Sequence, residues 1–147
     1  MRRMIAIIST CMFAAVFADQ KPATAEGALA VGLPPDVAKH GIALGAQVSQ
    51  ATEKEARQKA LAACLGYKGA PVAVKLCKVV ATFHDQCVAD AIDPQAGTPG
   101  FGWGIGPDQR TAEKQALAKC EATAGPGRRA ACRVGFSECD GTARTAK

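Results

Sequence analysis

The chain has 147 residues, which as a prior is one domain. With 48% hydrophobic and 21% charged residues it is neither a disordered polyelectrolyte nor an array of membrane spans. A formal net charge of +5 permits contact with acidic surfaces but demands neither nucleic acid nor anionic lipid, and neither is expected as a partner.

Residues 1–18 read as a targeting segment rather than as part of the fold. Arg2 and Arg3 give a basic start, and residues 4–17 form an uncharged apolar run. Such a run is shorter than the roughly 20 residues a membrane span needs, and it has the layout of a secretory signal peptide. Cleavage is expected after Ala18, behind Val16-Phe17-Ala18. The alternative, after Ala25, would leave Asp19 and Lys21 unusually close to the cut. Cys11 is expected to depart with the signal, because Ile8-Ser9-Thr10 is a poor lipoprotein context and the apolar run continues past it. Residues 19–26 are read as a flexible segment. Cleavage after residue 18 leaves 129 residues, with 16 basic against 13 acidic side chains and six cysteines. No second long apolar stretch remains, so a periplasmic or secreted protein free of the membrane is expected.

The elements then follow in order. Residues 28–31 make a short strand. Residues 41–48 alternate, with Ile42, Leu44, Ala46 and Val48 on one side, the period-2 signature of a second strand. A helix runs from Thr52 to Cys64: Ala56, Ala60, Leu61 and Cys64 share a face, and Thr52 with Glu55 forms a capping box. Gly66 is placed to end it. Residues 76–83 and 88–92 are strands, and residues 100–106 alternate again, with Phe101, Trp103 and Ile105 opposite the glycines. A helix follows from its N-cap Asp108 through Ala112, Ala116, Leu117 and Cys120. Residues 133–136 form a last strand, and residues 141–147 are expected to be a disordered tail.

This list contains a repeat. Lys59-Ala-Leu-Ala-Ala-Cys64 returns as Gln115-Ala-Leu-Ala-Lys-Cys120, and Cys77-Lys-Val-Val is matched by Cys132-Arg-Val. The expectation is a single α+β domain over residues 27–140, a duplicated β-β-α-β unit (27–87 and 88–140). Its most economical form is one mainly antiparallel sheet of about six strands with both helices on one face. Six cysteines in an exported protein read as disulfides. Spacing alone allows 15 pairings. The repeat favours Cys64–Cys77 and Cys120–Cys132, each stapling a helix to its following strand, with Cys87–Cys139 joining the two units across a pseudo-twofold axis.

Gly102-Trp103-Gly104 beside Ala116-Leu117, Cys120 and Cys132, together with Ala60-Leu61, Cys64, Cys77-Lys-Val-Val and Cys87, resembles the bacterial domain-of-unknown-function family 4189. The resemblance spans residues 27–140 and implies export and disulfides, but no activity. The first unit lacks a tryptophan at the equivalent strand.

Candidate sites are few. No Cys-x2–4-Cys pair suggests zinc, and neither a metal nor a cofactor is expected. His84-Asp85 is the sole adjacent acid–base pair, a weak catalytic candidate that reads more simply as a polar turn. The glycines of residues 100–106 recur at every second position. A dinucleotide-binding loop would instead run straight into a helix. Phe101, Trp103 and Ile105 are core if they face the helices, and a binding stripe if they face the open side of a sheet. Arg128, Arg129 and Arg133 form a basic loop. The functional expectation is a non-enzymatic binding or inhibitory module of the cell envelope acting through protein–protein contact. The alternatives are an envelope-acting enzyme using His84 and Asp85, and a purely structural secreted protein.

Overall fold

A computed structural model describes residues 25–145; the expected targeting segment 1–18, its favoured cleavage site after Ala18 and Cys11 lie outside the described residues. The first half runs β1 (Glu26–Gly32), a short α1 (Val37–His40), β2 (Ala43–Gln50), α2 (Glu53–Gly66), a short α3 (Pro71–Val74) and β3 (Lys78–His84). The second runs β4 (Cys87–Ile92), β5 (Phe101–Gly106), α4 (Gln109–Thr123), a single 3-10 turn and β6 (Arg133–Cys139). The strands form two separate three-stranded antiparallel sheets, ordered β2-β1-β3 and β5-β4-β6.

One six-stranded sheet with both helices on one face was the expected form, and the structure corrects it. Each central strand has two apolar faces. In β1, Ala28 and Ala30 pack with Ala56, Ala60 and Cys64 of α2, whereas Leu29 and Val31 join Val88, Phe83 and Phe101 in a cluster drawn from both sheets. In β4, Ala89 and Ala91 lie under Ala112, Ala116 and Cys120 of α4. The layers therefore run helix, sheet, sheet, helix. A single open sheet would leave the large-side-chain face of every strand in water, and burying a side chain such as Leu29 stabilises by roughly 1.5–3 kcal/mol.

Both long helices begin as the sequence indicates. The Thr52 side chain accepts the Glu55 N–H (3.1 Å) and Asp108 accepts the Thr111 N–H (2.8 Å), removing one unsatisfied donor from each N-terminus. The helices approach their sheets closely because small residues line the contact. A Cβ on Gly45 would collide with the Ala60 carbonyl, and one on Gly102 with the Ala116 carbonyl. Alanine methyls bury only about 0.8 kcal/mol each, so these layers gain from covalent help. Cys64–Cys77 and Cys120–Cys132 supply it at the helix ends, each closing a short loop worth about 3 kcal/mol in the chain-entropy account.

The third bridge, Cys87–Cys139, has the expected partners but another place. Cys87 opens β4 and lies directly opposite Cys139 on β6, so this bridge ties neighbouring strands within the second sheet and does not join the halves. After β6 the chain, read from sequence as a tail, is laid back along the start of α4. The Gln109 N–H donates to the Arg144 carbonyl (3.0 Å), and the Thr142 N–H to the Asp85 carboxylate (2.8 Å).

Candidate functional site

Phe101, Trp103 and Ile105 face neither α4 nor open solvent. Gly102 and Gly104 occupy the helix side of β5, which turns the three large side chains toward the other sheet. Phe101 is buried, while Trp103 and Ile105 are partly covered. Trp103 sits on an edge strand and lines a groove of about 370 Å³ with Val31, Leu33, Leu76, Lys78 and Val80 of the first half. Leu33 and Leu76 are 52% and 44% exposed, so the groove mouth is apolar. From α4, Lys119 carries its ammonium to 4.1 Å from the centre of the Trp103 ring, where the electron-rich face attracts a cation.

The matching place in the first half is emptier. Gly45 and Gly102 make the same contact with their helices, Gly45 beside the Ala63 Cβ and Gly102 beside the Lys119 Cβ, so Ala46 stands where Trp103 does and Ala63 where Lys119 does. Ala46 and Ala63 line a smaller depression of about 240 Å³ with Leu44, Phe136 and Glu138.

His84 and Asp85 close β3. The His84 Nδ1–H donates to the Ala25 carbonyl (2.7 Å), and Nε2 lies 3.2 Å from Asp85 Oδ2. Glu26 Oε1 is 3.6 Å from Nδ1. The Ala25 carbonyl, with smaller contributions from the Asp85, Glu26 and Asp140 charges, raises the imidazole pKa. Asp85, at φ 50°, holds the Thr142 N–H, which with its other hydrogen bonds and His84 lowers its pKa. Both imidazole nitrogens thus point at acceptors, an arrangement that favours the imidazolium. Ser49, near the end of β2, donates its main-chain N–H to the buried Asp140 carboxylate (2.6 Å).

The basic loop is partly spoken for. Arg128 grips Asp93 through Nε (2.8 Å) and Nη2 (2.6 Å), a fork geometry suited to carboxylates, and holds the Asp93 pKa down to about 2. Arg133 donates to the Ala130 and Cys132 carbonyls. Sequence reasoning missed this pair, since the partners are 35 residues apart. It also missed Asp90, buried on the inter-sheet side of β4 directly opposite Trp103. Burial raises the Asp90 pKa, although its Oδ1 accepts the Phe136 N–H (2.6 Å). Among the described residues no group of three His, Cys, Asp or Glu side chains could hold a metal ion. No described helix is long and apolar enough to cross a membrane.

No curated protein matches the chain. Among solved structures it is similar to the NMR structure of Rv1813c from Mycobacterium tuberculosis, at 21% identity, covering 95% of this chain and 100% of that one with a TM-score of 0.46. A family model described as "Domain of unknown function (DUF4189)" matches residues 27–139, the whole of the disulfide-stapled double layer, and the chain belongs to that family.

Proposed function

We propose that this protein is an exported binding module of the bacterial cell envelope, periplasmic or secreted, that captures or inhibits another protein through the Trp103 groove. The observation that carries the reading is the groove itself: an aromatic ring at a strand edge beside two half-exposed leucines. An apolar patch of this kind on a rigid scaffold is typical of interaction surfaces. Three disulfides and the basic, apolar N-terminus support export, because such bonds persist in oxidising compartments. The common element order of the halves supports reading them as copies of one unit, of which only the second acquired the ring.

The test is capture from envelope and culture-medium fractions with oxidised mature protein, beside Trp103→Ala and Leu76→Ser versions whose fold is verified by circular dichroism. One partner retained by the first and lost by both variants is the expected result. Equal recovery by all three, or no partner at all, would remove the reading. The enzymatic alternative has its own check: His84→Ala should silence an enzyme and leave a binder intact.

A further inference from the structure

The groove borders an open strand edge, and the hydrogen-bond pattern of β5 says which groups are open. Asp93 N–H donates to the Gly100 carbonyl (2.9 Å), and β4 pairs Ala91 with Gly102 and Ala89 with Gly104. The even-numbered residues therefore turn their main-chain groups toward β4. Antiparallel pairing alternates in this way, so Phe101, Trp103 and Ile105 turn theirs outward. At Phe101 the fold has its own partner: the Thr123 hydroxyl accepts the Phe101 N–H (3.0 Å) and lies 3.0 Å from its carbonyl oxygen. At Trp103 and Ile105 there is no such partner among the described residues, β5 being the outer strand of its sheet.

We propose that the protein binds an extended segment of its partner as an added strand on β5, a segment whose side chains alternate between apolar and acidic. This rests on the Trp103-groove reading and specifies its mode. Strand addition takes affinity from main-chain bonds and specificity from pockets for alternate side chains. The outward N–H and C=O of Trp103 and Ile105 supply the bonds. An added strand directs one set of side chains toward the inter-sheet side, where Leu33, Leu76, Val80 and Trp103 receive apolar groups. The other set points to the α4 side, where Lys119 is rooted. The charged group on that side is Lys119, whose ammonium lies over the ring and calls for a carboxylate, while Lys78 lines the groove beside the leucines. Until the partner arrives, Lys119 shields the edge, a common protection against unwanted pairing. A second copy of this chain is the wrong occupant, since pairing β5 with β5 would bring two Lys119 ammonium groups to one seam.

The test uses a capped seven-residue peptide alternating valine and glutamate, added to isotope-labelled oxidised mature protein and followed by amide hydrogen exchange. Exchange at Trp103 and Ile105 should slow at least tenfold, with Gly102 and Gly104 little changed. A peptide N-methylated through its central residues should bind at least tenfold more weakly, and so should a version with lysine for glutamate. Lys119→Glu, a surface change that leaves the fold intact, should reverse the charge preference. Peptide that shifts the Trp103 ring without slowing these amides would overturn strand addition and leave the groove reading standing. Absence of binding by the acidic peptide would overturn the stated chemistry, whatever the capture experiment returns.

Discussion

Where the first half sets Glu26 opposite His84, the second sets Cys87 opposite Cys139; where β1 carries Leu29 beside its bulge, β4 carries Asp90 beside the same bulge. Ala46 faces the inter-sheet layer in one half and Trp103 in the other. The backbones follow one plan, because its determinants recur in both: an alanine-lined helix, a glycine under its axis, a capped N-terminus and a helix-to-strand disulfide. What differs lies on the inter-sheet side and at the strand edges. The contrast teaches that the helix–sheet layers hold the shape, and that the halves differ on the side that meets the other sheet.

The comparison breaks hardest at the cross-strand bridge. Replacing Cys87 and Cys139 with serine reopens a loop spanning a sequence separation of 52 residues, for which the chain-entropy account gives about 4 kcal/mol. Urea unfolding of the remaining two-bridge protein should show that loss, and a cost below about 1 kcal/mol would mean the bridge is dispensable. The reciprocal change, Glu26→Cys with His84→Cys, should stabilise an oxidised protein, by less than that amount because engineered bridges commonly under-deliver.

Gly45→Ala and Gly102→Ala sharpen the shared part. Each forces a methyl against a helix carbonyl, at about 1–3 kcal/mol for overpacking. The two costs should agree closely, and a large inequality in thermal unfolding would show that the helices are not seated alike. Trp103→Ala makes the second edge resemble the first. Since the ring is only partly covered, the stability cost should be about 2 kcal/mol, below the 3–5 of a buried tryptophan.

The smallest effects are in pH. Asp93 is held at about 2 against an ordinary 3.8 by its Arg128 hydrogen bonds. A depressed carboxylate contributes stability above its unfolded pKa and loses it as pH falls through the folded one. That contribution should fade between about pH 4 and pH 2, and Arg128→Gln should shrink the fade to the part owed to the Gln95 N–H and Thr98. Asp90 has the opposite sign. Burial raises its pKa, so its contribution is full below the ordinary 3.8 and is lost as pH rises through the raised value. Asp90→Asn keeps an acceptor for the Phe136 N–H and should be more stable than the parent at pH 7. The first half, with Leu29 at that place, has no counterpart to this dependence.

Much of the local structure was legible because it rests on local physics. The caps at Thr52 and Asp108 and the alternation of residues 100–106 are short-range signals, and the structure places elements on them. The candidate site was half legible. Alternation put Phe101, Trp103 and Ile105 on one side of a strand, and composition showed the ring to be unique. It could not say that Leu33 and Leu76 of the other half would complete the groove.

By itself the sequence determined the eight principal elements, their order, and which side chains share a face, since each follows from periodicity, capping and turn chemistry within a few residues. Tertiary structure alone decided that the strands divide into two sheets stacked face to face, that Cys87 and Cys139 meet within one sheet, and that Arg128 reaches Asp93. An unbroken apolar run such as residues 28–31 says that both faces of its strand are apolar. What covers each face depends on how the whole chain can remove both from water at once, and that is a property of packing.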